Sequence, residues 1–137
     1  MFSIGQVSRK TGIKIPTIRY YEAERLVEAV GRSGGNQRRY SESDLNRLVF
    51  IKHGRDLGLT LRDIRELLML SSDPDQSCER ANQLAAAHLK KVQARISKLM
   101  ALEEELSRIA HSCTGTTVGQ CHVIEALSNH ALCQHEH

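Results

Sequence analysis

Along the C-terminal half of the chain, apolar residues recur at Leu89, Val92, Ile96, Leu99, Leu102, Leu106 and Ile109, in steps of three and four that mark one stripe of a helix. The pattern predicts a single long helix over Glu79 to His111, whose other faces carry Lys90, Lys91, Arg95, Lys98, Glu103, Glu104 and Glu105. One apolar stripe on so long a helix needs a partner helix, and a second copy of the same chain is the simplest supplier.

The N-terminal half breaks into shorter periods. In SIGQVSRKTGI, Ser3 with Gln6 three residues on has capping-box spacing, and Gly12 suits the C-terminal end of a first helix. Pro16 fits the first turn of a second helix bearing Thr17, Ile18, Arg19, Tyr20 and Tyr21, because it gives up an N–H that has no partner there. Two short helices with a tight turn are a helix-turn-helix pattern, in which the second helix enters the major groove of DNA. The segment GRSGGNQRRY combines two glycines with Arg32, Arg38, Arg39 and Tyr40, as in a basic hairpin whose arginines reach phosphates, although a solvated loop has the same composition. SESDLNRLVFIKHGRDLGLT predicts a third helix, capped by Ser41 or Ser43, striped by Leu45, Leu48, Val49 and Ile51 and ended by Gly58. LTLRDIRELLMLSS predicts a fourth, with Thr60 at its cap and Leu61, Ile64, Leu67 and Leu68 on its core face. SSDPDQS, marked by Pro74, is the linker to the long helix.

Charge and cysteine placement divide the two halves. Residues 1–70 carry 13 Lys+Arg against 8 Asp+Glu, a net of +5, while residues 71–137 carry 6 against 8, a net of −2. The basic half is the candidate for a polyanion partner. All four cysteines, Cys78, Cys113, Cys121 and Cys133, fall in the acidic half, and two of them bound the loop CTGTTVGQC at the end of the long helix. Clustered thiols near histidines point to metal in a reducing compartment, against the simpler reading of unrelated buried thiols. Cys78 and Cys113 stand 35 residues apart, about 50 Å along a helix at ~1.5 Å per residue, so they cannot share a ligand within one straight helix. If two copies pair antiparallel, Cys78 of one approaches Cys113 and Cys121 of the other, and a three-thiolate pocket exists only in the dimer. The tail HVIEALSNHALCQHEH suggests one short helix through Val123, Ile124 and Leu127. It ends in His130, Cys133, His135 and His137, an accessory metal site or a frayed terminus. His88 and His122 are further candidates beside the cysteines.

Other classes have less support. The sequence shows no paired carboxylates or nucleophile-and-base motif, so no catalytic residues are assigned. No apolar run approaches the roughly 18 residues of a membrane helix, and MFSIGQVSRK lacks a secretory h-region, so a cytoplasmic location is expected.

Together, IGQVSRKTGI, TIRYYEAERLV, GNQRRY and FIKHGRDLGLTLRDIRELL resemble the MerR family of bacterial transcriptional regulators, in order and with little gap over about the first 70 residues. The resemblance implies a mainly α protein: a winged helix-turn-helix DNA-binding domain over residues 1–72, a linker and antiparallel dimerisation helix over 73–111, and a metal-binding loop, short helix and His/Cys-rich tail over 112–137. It also implies that Thr17, Arg19 and Tyr20 meet the groove and its walls, and that Arg32, Arg38, Tyr40 and Arg55 meet phosphates. Tyr21 competes with Tyr20 for the outward position, since adjacent aromatics on one short helix cannot both face DNA. CTGTTVGQC resembles the family's metal-sensing branch, whose copper(I) sensors carry serine where this chain has Cys78. Cys78, Cys113 and Cys121 are therefore the expected ligands. A third sulfur favours zinc, cadmium or lead as effector over a linear monovalent ion. The implied function is a homodimer that activates a metal-resistance efflux promoter through RNA polymerase. The alternatives are a copper(I) sensor of the same family and a metal-buffering protein, which has no need of a wing and helix-turn-helix.

Overall fold

The computed structural model describes residues 1–29, 31–32, 38–111 and 117–128, with only the backbone considered at Gly31, Arg32 and Arg38. The chain forms two compact units, Met1–Leu84 and Ala85–His137. The first unit therefore takes in the linker and the opening turns of the long helix.

Local chemistry sets each boundary in the first unit. Helix α1 (Ile4–Thr11) starts at a reciprocal capping box, Ser3 N–H to Gln6 Oε1 at 2.8 Å and Gln6 N–H to Ser3 Oγ at 3.2 Å, and stops at Gly12 with φ 74°. The turn is then locked by side chains: Thr11 Oγ1 donates to the Val7 carbonyl at 2.8 Å and accepts the Ile13 N–H at 3.2 Å, while Ser8 Oγ donates to the Ile13 carbonyl at 2.6 Å. Helix α2 (Ile15–Ala23) carries Pro16 in its first turn. It ends in a Schellman pair, Leu26 N–H to the Tyr21 carbonyl at 2.9 Å and Arg25 N–H to the Glu22 carbonyl at 3.0 Å. The left-handed position of that motif is occupied by Arg25, at φ 60°, and not by glycine.

Helix α3 (Glu42–Asp56) begins at a second capping box, Ser41 with Asp44, which settles the choice between Ser41 and Ser43. Its end repeats the Schellman pair, Leu59 N–H to Gly54 O at 3.0 Å and Gly58 N–H to Arg55 O at 2.9 Å, with Gly58 at φ 85°. Helix α4 (Leu61–Ser71) is capped by Thr60, whose Oγ1 accepts the Asp63 N–H at 3.1 Å.

The hairpin of strands β2 (Gly31–Arg32) and β3 (Arg38–Tyr40) forms where the basic glycine-rich segment predicts it, with Arg32 opposite Arg38; its tip, 33–37, lies outside the described residues. A third strand, β1 (Phe2–Ser3), pairs antiparallel with β3 and places Phe2 opposite Tyr40. The sheet order is β1-β3-β2, so the chain's start is stitched to the wing. Val7, Ile18, Leu26, Leu48, Ile51 and Ile64 fill the core beneath, all without exposed surface.

Helix α5 (Glu79–His111) has the span that its periodicity predicts. A 3-10 turn (Val118–Gln120) and helix α6 (His122–Ser128) follow, the latter where Val123, Ile124 and Leu127 suggest it. Most of the α5 stripe is bare in the single chain, with Leu89, Ile96, Leu99 and Leu106 all more than half exposed. Glu105 departs from its expected polar face: it is buried, with Arg108 Nη2 at 3.8 Å from Oε1, alongside buried Ile109 and Ala126.

Candidate DNA interface and thiol sites

The outward face of α2 follows from what its inward face must do. Ile18 has no exposed surface and Tyr21 is 7% exposed, which fixes the helix's rotation on the core. Tyr21 is thereby resolved as a packing residue, and Tyr20, its ring centroid 6.0 Å away, stands half exposed. Arg19 is exposed beside it and Thr17 half-buried, so the three residues singled out on this helix lie off its core face. Among the described residues Arg19 has no carboxylate partner, whereas Arg65 lies 3.8 Å from Glu24 and Lys52 lies 3.7 Å from Asp56. A cation left without an internal partner beside an exposed aromatic suits a phosphate or a base edge.

The wing is positioned by β1 and by Tyr40. Tyr40, expected at a phosphate, is a core residue in this structure: its ring has no exposed surface and its hydroxyl donates to Glu22 Oε2 at 2.8 Å. The physical reason is the register of β3. Side chains alternate faces along a strand, and Tyr40, opposite Phe2, falls on the side that packs against the helices. Arg32 and Arg38 pair across the hairpin backbone, and Arg39 is half-buried. Arg55 is exposed and donates one N–H to the Leu59 carbonyl at 2.9 Å, which ties it to the α3–α4 corner.

Cys78 is the N-cap residue of α5, since its carbonyl accepts the Asn82 N–H at 2.9 Å in the helix's first backbone bond. Its thiol is free and exposed, and Asn82 Nδ2 donates to Sγ at 3.6 Å. Ser77 Oγ accepts the Glu79 N–H at 3.2 Å, adding a second tie to the same turn. An apolar recess of about 310 Å³ opens beside Cys78, lined by Phe50, Leu67, Leu70, Pro74 and Ala81.

Cys121 is half-buried in the second unit, directly before α6, and His122 begins that helix. Cys113, Cys133, His130, His135 and His137 lie outside the described residues. Among the described residues of one chain no three His, Cys, Asp or Glu side chains gather as a metal cluster. His88 is on α5. No helix of the described residues is long and apolar enough to cross a membrane.

The first turn of α5 is held to α4 by an ion pair that sequence reasoning missed. Arg80 Nε donates to Glu66 Oε1 at 2.5 Å and Nη2 to Glu66 Oε2 at 3.1 Å, a two-pronged contact. The Arg80 hydrogen bond, with the charges of Arg80 and Arg62 adding to it, holds the Glu66 carboxyl below the usual carboxylate range. Residues 14 apart on two different helices leave no periodic signal.

Two family models match: one for MerR HTH family regulatory proteins over residues 2–70 and one described as MerR, DNA binding, over residues 45–109. The chain is 38% identical over 134 residues to the HTH-type transcriptional regulator ZntR of Escherichia coli K12, covering 96% of this chain and 95% of that one. Its fold is similar to the crystal structure of the transcription regulator PbrR691 from Ralstonia metallidurans CH34 in complex with lead(II), with TM-score 0.79 and 38% identity over 93% of this chain and 99% of the other. It is also similar to HiNmlR, a regulator lacking the sensor domain and bound to promoter DNA, with TM-score 0.61 and 25% identity over 80% and 83% of the two chains.

Proposed function

The chain belongs to the MerR family of helix-turn-helix transcription regulators, and from that premise we propose that it is a homodimeric, metal-responsive activator of a metal-resistance efflux promoter, working in the cytoplasm. The observation that carries the reading is the pairing of a bare apolar stripe on α5 with an exposed, free thiol at that helix's N-cap. A second copy laid antiparallel covers the stripe and brings Cys78 beside the far end of the partner's helix, where Cys113 and Cys121 stand. Three thiolates suit a soft divalent ion, cadmium, lead or zinc, and the free, exposed thiol of Cys78 fits such a donor set. The relatives support the same class, PbrR691 having been crystallised with lead(II).

On DNA, Arg19 and Tyr20, with Thr17, contact the major groove and its walls, while Arg32, Arg38 and Arg55 hold phosphates and set the register. The bound ion fixes the thiolates of two subunits to one another. The winged units then bend and untwist the promoter so that RNA polymerase can engage it. Deforming a site of this length costs on the order of 1–6 kcal/mol, which the ion must offset by binding the bent state more tightly.

A mixed dimer tests the shared site. One subunit carries Cys78→Ser and the other Cys113→Ser with Cys121→Ser, and lead bound per dimer is counted by mass spectrometry. Sharing between antiparallel copies leaves one complete site, because both lesions fall in the same pocket. Ligation within one chain leaves none, and that count would end the proposal. In the homodimer, Cys78→Ser should weaken the response to cadmium and lead more than that to copper(I).

A further inference from the structure

We propose that Glu66 and Arg80 are positioning residues for the metal response: their ion pair is the rigid link by which movement of the first turn of α5 turns the winged unit. The inference rests on the metal-responsive reading above and adds the residues that carry the signal from the thiol to the DNA-binding helices.

The link is built from contacts that follow one another. Arg80 stands two residues after Cys78, on the same turn of α5, so a pull on the Cys78 thiol moves the Arg80 backbone with it. The guanidinium grips Glu66 of α4 through two nitrogens, Nε at 2.5 Å and Nη2 at 3.1 Å, and its Nη1 donates to Gln83 Oε1 at 3.4 Å one turn along. A single hydrogen bond lets one helix swivel on the other, whereas a planar fork seated on a carboxylate fixes direction as well as distance. The covalent linker does less. Its residues 72–77 make only short-range turn bonds, Asp73 N–H to the Leu70 carbonyl at 3.2 Å and Gln76 N–H to the Asp73 carbonyl at 3.1 Å, and these tether α5 without aiming it.

Beyond Glu66 there is no slack. Ile64, two residues earlier on α4, has no exposed surface, and a Cβ built on Gly54 of α3 would stand 2.8 Å from its Cγ1. Helices α3 and α4 are packed backbone to side chain, so α4 cannot turn without α3, and α3 shares its core with α1, α2 and the wing. Close-packed interiors transmit displacement because they do not compress. Both members of the pair are substantially exposed, with side chains 50% and 36% accessible, which marks it as a poor stability device. Its place at the turn that joins the proposed ligand Cys78 to α4 is better explained by transmission.

The experiment uses full-length homodimer on a duplex selected by the wild-type protein, with lead(II) as the metal probe. Glu66→Gln, Arg80→Gln and the double variant are compared with wild type in four readouts: melting temperature, affinity of the metal-free dimer for the duplex, lead binding by thiolate charge-transfer absorption, and transcription with and without lead. Each single variant is expected to keep DNA and lead affinity within about threefold of wild type, yet to lose at least fivefold in the ratio of lead-induced to uninduced transcription. The double variant should lose no more than either single one, because both break the same link. In the metal-free dimer, amides of residues 82–85, the first with helical acceptors, should exchange faster in all three variants. Wild-type induction ratios in the single variants, or losses that multiply in the double variant, would overturn the proposal. A wild-type dimer that binds no lead, zinc or cadmium would take down the metal-responsive reading itself, and this inference with it, before any variant is made.

Discussion

Gly54 is the position where the winged unit should tolerate least. Adding one methyl group there, Gly54→Ala, places a Cβ 2.8 Å from Ile64 Cγ1 and 2.9 Å from Cδ1, with Leu59 Cδ1 at 3.8 Å. Ile64 has no exposed surface and is branched at Cβ, so Cγ1 cannot swing aside without leaving its rotamer. Overpacking of this kind costs about 2–3 kcal/mol, from which up to about 1 kcal/mol of helix propensity gained by replacing a glycine in the last turn of α3 must be subtracted. The net expectation is a loss of about 1–2 kcal/mol, or roughly 5–10 °C in thermal unfolding followed by circular dichroism at fixed protein concentration. The sharper test changes the sign. With Ile64→Ala already in place both close atoms are gone, and Gly54→Ala should then stabilise by about 0.5–1 kcal/mol relative to the single Ile64→Ala variant. If Gly54→Ala proved neutral or stabilising in the wild-type background, or destabilised equally in both backgrounds, the close approach of α3 and α4 would not be the reason for this glycine.

Three further outcomes follow from the same geometry. Arg25→Gly should stabilise the chain by about 1 kcal/mol in denaturant titration, since Arg25 holds a left-handed φ of 60° that a glycine adopts freely, and a loss of stability would mean its side chain matters more than its backbone. Tyr40→Phe should cost about 1.5–3 kcal/mol of stability by removing the hydroxyl bonded to Glu22, while leaving the salt dependence of DNA binding unchanged; a shallower salt slope would restore Tyr40 to the phosphate interface. The Glu66 carboxyl, lowered chiefly by its hydrogen bond from Arg80, binds protons less readily folded than unfolded. The pair's contribution to stability is thus complete above the usual carboxylate range and is lost as pH falls through the folded value, a segment of the acid unfolding curve that Glu66→Gln should flatten.

What could be read from the sequence was what nearest neighbours decide. Ser3 with Gln6, Thr60, Gly12 and Gly58 each act within one helical turn, so their capping roles and the helix ends they set are visible as short spacings. The α5 stripe is legible for the same reason, and the helix spans Glu79–His111 as the pattern predicts. Strand β1 is two residues long and owes its existence to a partner 38 residues away, so no periodicity announces it. The burial of Tyr40 is not legible because a basic, aromatic hairpin gives no hint of which face packs; only the pairing of Phe2 with Tyr40 decides that.

The same logic explains the two charged residues that the pattern hid. Glu105 sits among Glu103 and Glu104 in a run that looks solvated, yet it is the one buried, and Arg108 one turn on lies 3.8 Å from it. Arg80 and Glu66 look like ordinary surface charges on separate helices until the turn through Pro74 folds one onto the other. Sequence periodicity reports which face of an element avoids water, whereas a charge used in tertiary structure is declared only by its partner. If a thiol is coupled to the DNA-binding helices as proposed, such partners are where the coupling resides. Under the proposed mechanism the paired charges at the α4–α5 corner are accordingly a better guide to how the response travels than the apolar stripe, which offers a surface for a partner helix and says nothing about what moves.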